Sequence, residues 1–145
     1  MPASFARFVA APRARGGFVE VETTVPARFR GTTARAFGHE FVARRLAACV
    51  NRVPADATYW WAGKVENAKE VLLRFKTTRA NAARLVRLIK AEHPYDVPYI
   101  AVFPLALRSD AYARWLREET REPRRNARGP RPRSGRRAGD APKRA

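Results

Sequence analysis

Hydrophobic and polar positions alternate from Gly17 onward. Phe18-Val19-Glu20-Val21-Glu22-Thr23-Thr24-Val25 is β-branched and has period two, so it predicts a strand with Val19 and Val21 on one face and Glu20 and Glu22 on the other. Pro26 ends it. The period then lengthens. Thr32 or Thr33 can cap a helix running to about Ala47, because Phe37/Phe41 and Val42/Leu46 lie four residues apart on one stripe. Cys49 to Pro54 starts a second strand, which resumes at Thr58-Tyr59-Trp60-Trp61, turns at Ala62-Gly63 and returns as Lys64 to Thr77. On the return, Val71, Leu73 and Phe75 share one face, with Glu70, Arg74 and Lys76 on the other. Asn81 to Glu92 reads as a helix with Ala82, Leu85, Val86 and Ile89 inward, stopped by Pro94. A strand from Tyr99 to Leu107 follows. Ser109 or Asp110 then caps a last helix with Tyr112, Trp115 and Leu116 inward.

The order β-α-β-β-α-β with a closing helix predicts an α+β, ferredoxin-like fold, an antiparallel sheet with helices on one face. The other face is left bare in a monomer, and Tyr59-Trp60-Trp61 must point to both sides of their strand. Association with further copies is expected, since it would cover the rings and pair exposed edges.

Composition sets limits. The 145 residues fit one domain, residues 17–120, between a leader (1–16) and a tail (121–145). The leader has no clear periodicity and reads as mobile. Of the net charge of +17, residues 121–145 carry ten Lys or Arg against two acids, without hydrophobic periodicity. That tail is expected to be disordered. No apolar run is long enough for a membrane span, no secretory signal pattern is present, and the single Cys49 excludes an intrachain disulfide, so cytoplasm is the expected address.

Several motifs recur together: Leu46-Ala47-Ala48-Cys49-Val50-Asn51, Tyr59-x-Trp61-x-Gly63-Lys64-x-Glu66, Glu70-Val71, Lys76-Thr77-Thr78 and His93-Pro94-Tyr95-x-x-Pro98. In order and spacing this set resembles the CutA divalent-cation-tolerance family over roughly residues 17–119. The resemblance implies a homotrimer whose long hairpins pair between subunits, and an association with copper and other divalent cations. In copper-linked relatives a cysteine lies near the end of the first strand, where this chain has Thr23. Their acidic position after the second proline is Tyr99 here, and a histidine found in some of them before His93 is Glu92. A hydroxyl is a poor ligand for cuprous ion, which prefers sulfur. Weak divalent binding, supported by His93 and Glu92, is the expectation.

Each candidate residue also has a plain structural reading. Cys49 in Ala-Ala-Cys-Val reads as core. His93 can close its helix by bonding the last carbonyls, and His39 beside Glu40 reads as a solvated face. Tyr59, Trp61, Lys64, Glu66, Glu70, Lys76 and Tyr95 are candidates for an inter-subunit ligand cleft, or are simply paired cross-strand. No phosphate loop, nucleophile elbow or zinc signature points to an enzyme. Two other functions are open: a PII-like trimeric signalling scaffold, and nonspecific nucleic-acid binding through the basic tail, which lacks aromatic residues for stacking.

Overall fold

A computed structural model describes residues 17–121. The readings of residues 1–16 as a leader and of 121–145 as a disordered tail, apart from Arg121, fall outside the described residues. The elements are β1 (Phe18–Val25), β2 (Arg28–Phe29), β3 (Thr32–Thr33), α1 (Ala34–Ala43), β4 (Cys49–Trp61), β5 (Lys64–Thr78), α2 (Arg79–Glu92), β6 (Ile100–Leu105) and α3 (Asp110–Glu119). The main sheet is antiparallel with order β4-β5-β1-β6, the ferredoxin-like arrangement. A short hairpin of β2 and β3, turned by Arg30 and Gly31 at φ 47 and 76, precedes α1; the sequence reading did not anticipate it.

Alternation along β1 explains the two faces. Val19, Val21 and Val25 are buried with Leu73 and Phe75 of β5 and with Phe37, Phe41, Leu85 and Ile89 of α1 and α2. Gly38 lets α1 approach β4, since a Cβ there would meet a Val50 methyl at 3.3 Å. The opposite face carries charge at its centre. Glu20 is only 5% exposed, and Arg74 Nε donates to its Oε1 at 2.8 Å while Lys76 Nζ lies 3.5 Å from Oε2. Burying that carboxylate is tolerable because both oxygens meet cations. At one end of this face α3 adds a second small core, in which Leu116 packs with Phe18 and Ala48.

Several boundaries differ from the sequence reading. Helix α1 stops at Ala43, not near Ala47, and it closes by a Schellman motif. Arg45 adopts φ 57, its N–H reaches Val42 O at 2.9 Å, and Leu46 N–H reaches Phe41 O at 3.0 Å. Leu46 is still buried, but from the loop. The second strand is unbroken through Pro54, because β4 is an edge strand where a missing N–H costs no ladder bond. Helix α2 begins two residues early, at Arg79 behind a Thr78 cap, and β6 is shorter than its predicted run. Trp115 is 39% exposed rather than inward, and Cys49 is only partly buried, against Tyr112 Oη at 3.9 Å.

Phe41 is fully buried and meets Phe37 and Phe75 edge to face, at ring-centroid separations of 5.1 and 5.7 Å. Phe41→Ala is expected to cost about 3–5 kcal/mol, the usual penalty for emptying such a site. Chemical denaturation checks it; a loss under about 1 kcal/mol would mean that the two layers are not held by this contact.

Candidate functional site

Strand β5 is nearly twice the length of β1. Seven of its residue pairs with β4, from Ala55 with Glu70 to Trp61 with Lys64, project past the sheet as a two-stranded ribbon. At about 3.3 Å per residue the ribbon extends roughly 23 Å. A two-residue turn closes it, with Ala62 and Gly63 at φ 48 and 78, the left-handed pair of a type I′ hairpin. Register places Tyr59 opposite Glu66 and Trp61 opposite Lys64, so these four side chains and Glu70 share one ribbon face. Trp60, 73% exposed, and Val65 take the other. Tyr59, Trp61, Lys64 and Glu66 are all exposed. No water-soluble chain gains by presenting so many rings on so thin a support.

At the root of the ribbon the loop after α2 meets β5. Tyr95 Oη donates to Glu70 Oε1 at 2.8 Å. Burial, then the Glu70 carboxylate, and also Tyr59 nearby, push the Tyr95 phenol well above its ordinary range. The cleft candidates Tyr95 and Glu70 are therefore brought together. Lys76 does not join them; it serves Glu20 and the Asn51 side chain in the sheet.

His93 is 4% exposed, and hydrogen bonds engage both of its ring nitrogens. Nδ1 accepts the Tyr95 backbone N–H at 3.0 Å. Nε2 lies 3.1 Å from Thr24 O, a carbonyl that can only accept, so Nε2 carries the proton. The same nitrogen lies 3.0 Å from Thr23 Oγ1, whose own proton goes to Tyr99 O at 2.7 Å. Thr23, His93 and Tyr99, three of the four positions that the family resemblance tied to copper, thus converge, but in a closed network of hydrogen bonds. The ring ties the end of α2 to β1, instead of bonding the last carbonyls of its own helix. Arg30 donates to His93 O and Pro94 O at 3.4 and 3.3 Å and fixes the loop from outside.

A divalent cation does not fit the Glu92–His93 pair as it stands. Glu92 faces Arg44 at 3.1 Å, and a metal on His93 would have to displace either Tyr95 N–H or the Thr23 and Thr24 contacts. Among the described residues no group of three or more His, Cys, Asp or Glu side chains is placed to hold a metal. His39 is exposed on α1, as its sequence context implied.

The residue pattern described as CutA1 divalent ion tolerance protein matches residues 21–119, spanning β1 through α3. The chain belongs to that family. A CutA homolog of Danio rerio is 44% identical over 87 residues, covering 59% of this chain and 58% of the relative. The divalent-cation tolerance protein CutA of Thermus thermophilus is 43% identical over 98 residues, covering 67% of this chain and 92% of the relative. The chain spans a little over half the length of the zebrafish, rice and Arabidopsis relatives that it matches. Among solved structures, CutA from Synechococcus elongatus superposes with TM-score 0.68 at 29% identity, covering 73% of this chain and 92% of that one. CutA1 from Oryza sativa gives 0.66 at 36%, covering 74% and 96%. Compartment does not travel with the CutA family: the rice and Arabidopsis relatives are named chloroplastic, and an Archaeoglobus fulgidus structure periplasmic. No helix among the described residues is long and apolar enough to cross a membrane.

Burial lowers the His93 pKa below its ordinary 6.5, chiefly by desolvation and only partly opposed by Thr24 O and Glu70. The unfolded chain therefore takes up a proton before the native one does. Stability is full above about pH 6.5 and falls as pH drops towards the native pKa, levelling off below it. His93→Gln is expected to lower stability at neutral pH and to flatten this acid slope. Thermal midpoints across the range check it; an unchanged slope would assign the acid sensitivity to other groups.

Proposed function

We propose that the chain works as a homotrimeric binding protein of divalent-cation tolerance rather than as an enzyme. A divalent cation or small ligand is held where the ribbon of one subunit meets the Glu70–Tyr95 root of another. The observation that carries this reading is the ribbon. It presents Tyr59, Trp61, Lys64, Glu66 and Glu70 on one face with no layer behind it among the described residues. Neighbouring ribbons would supply that layer and pair the free edge of β4, and they would bring carboxylates and phenols from two chains into one cleft.

Oxygen donors from Glu66, Glu70 and Tyr95 suit hard divalent cations better than cuprous copper. Copper binding on Glu92 and His93 is correspondingly weak, since both already hold partners.

Native mass spectrometry and sedimentation at micromolar concentration test the assembly, and added copper or magnesium tests the cleft. The expected species is a trimer that Trp61→Ala loosens by a few kcal/mol, as is usual for emptying a buried aromatic contact. Glu70→Gln should weaken divalent uptake without dissociating the trimer. A folded, stable monomer would overturn the assembly, and submicromolar copper affinity that disappears with His93→Ala would overturn the cleft.

A further inference from the structure

Between α3 and the start of β1 lies a groove of about 450 Å³. Phe18, Leu107 and Ala113 make its apolar floor, and Asp110, Arg114 and Arg117 make its exposed rim. The helical period puts them there. Asp110, Ala113, Arg114 and Arg117 are spaced i, i+3, i+4 and i+7 and form one flank of α3, while Leu116 turns into the small core with Phe18. Phe18 stands at the far end of β1 from Val25, where the ribbon departs, so the groove is separate from the Glu70–Tyr95 root.

The charges of this groove are not spent on one another. Asp110 and Arg114 are one helical turn apart, yet among the described residues no ion pair holds either of them or Arg117. Arg117 instead lies over the Phe18 ring, with its guanidinium carbon 4.8 Å from the ring centroid. A smaller groove shows the alternative: Arg45 and Glu119 are among its lining residues, and they bond to each other at 3.1 Å. The larger groove keeps two guanidinium groups and one carboxylate free above an apolar surface, which leaves one positive charge in sum.

We infer that this groove binds a small, flat aromatic molecule that carries a single negative charge. Its size lies within the range of small-molecule sites, roughly 300–1,000 Å³. The apolar body of the ligand covers Phe18, Leu107 and Ala113, and its carboxylate takes N–H groups from Arg114 and Arg117, whose planar forks match two oxygens. Arg117 already stacks on one ring, and its outer face is suited to a second. Asp110 sets the limit on charge. A second negative group on the ligand would lie against that carboxylate, so polyanions such as phosphate chains are disfavoured and a monoanion matches the sum of charges. The groove adds a site to the proposed ribbon cleft and does not depend on it.

The test is a chemical-shift titration of the full, isotope-labelled chain with naphthoate, naphthol and naphthalene dicarboxylate. At neutral pH these probes carry one, no and two negative charges on the same flat body. Naphthoate should bind most tightly and shift the backbone amides of Ala113, Arg114 and Arg117. Arg114→Gln should weaken naphthoate about tenfold, roughly the share of one charge-assisted hydrogen bond at an open site, and leave naphthol unchanged. Asp110→Asn should bring the dicarboxylate up to the affinity of naphthoate. Both changed side chains are exposed and unpaired among the described residues, so a thermal midpoint close to the parent's is expected and confirms folding. Naphthol binding as tightly as naphthoate overturns the inference, as does naphthoate affinity untouched by Arg114→Gln. Shifts confined to the ribbon amides from Tyr59 to Glu66, or no saturable shift at all, overturn it too.

Discussion

The mismatch in length between β5 and β1 governs this molecule. β5 has fifteen residues and β1 eight, so the antiparallel ladder between them ends at Val71 opposite Val25. Up to that point Leu73 and Phe75 of β5 meet the helical layer on one face, while Arg74 and Lys76 pair with Glu20 across the other. Beyond it, among the described residues, only β4 accompanies the strand, and the ladder satisfies the backbone of the ribbon while most of its side chains are exposed. Everything distinctive about the surface follows. The aromatic rings, the lysine and the carboxylates of the ribbon are displayed because β1 ends at Pro26.

The charged face of the sheet and the buried histidine answer one physical problem in opposite ways. Glu20 is buried against two cations, Arg74 and Lys76. Arg74 in turn is held more firmly protonated, first by its hydrogen bond to Glu20. His93 is buried without a carboxylate in contact and is kept neutral, each nitrogen matched to a group of the right polarity. A neutral imidazole whose valences are filled makes a dependable tie between α2 and β1, and for the same reason a reluctant ligand.

Much of this was legible in the chain. Period-two runs at Phe18–Val25 and Val71–Phe75, and the Leu85/Ile89 stripe, marked the buried faces of the sheet and of α2, since alternation states directly which face is buried. Thr33, Thr78 and Ser109 accept from backbone amides as caps, and Thr33 and Ser109 were each one of two candidates in the sequence, beside Thr32 and Asp110. What escaped were features set by contacts distant in sequence. The closure of α1 used Arg45 in a left-handed conformation, where composition gives glycine as the signal. Continuity through Pro54 depended on β4 lying at the edge, a property of the sheet rather than of the strand. The fate of His93 was decided by Thr23 and Thr24, about 70 residues away. The shared face of Tyr59, Trp61, Lys64, Glu66 and Glu70 could be counted out by parity once the turn at Ala62-Gly63 was placed. The hydrogen bond of Tyr95 to Glu70 could not.

The two-residue turn of the ribbon has a consequence for how the chain assembles. The hairpin of β4 and β5 closes over Ala62 and Gly63, whereas β1 must find partners that begin with Thr78 and Leu105. Loop entropy therefore favours the local hairpin early and the insertion of β1 between β5 and β6 late. A folding transition state structured in the hairpin and unformed in β1, with φ-values high in the first and near zero in the second, is the kinetic signature of that order. The reverse pattern would show that the helices recruit β1 before the ribbon zips. In the interval before β1 docks, β5 has an open edge and its apolar residues Leu73 and Phe75 are uncovered. Nascent chains are most exposed to mispairing at that stage, and the strand that completes the sheet is the one synthesised first.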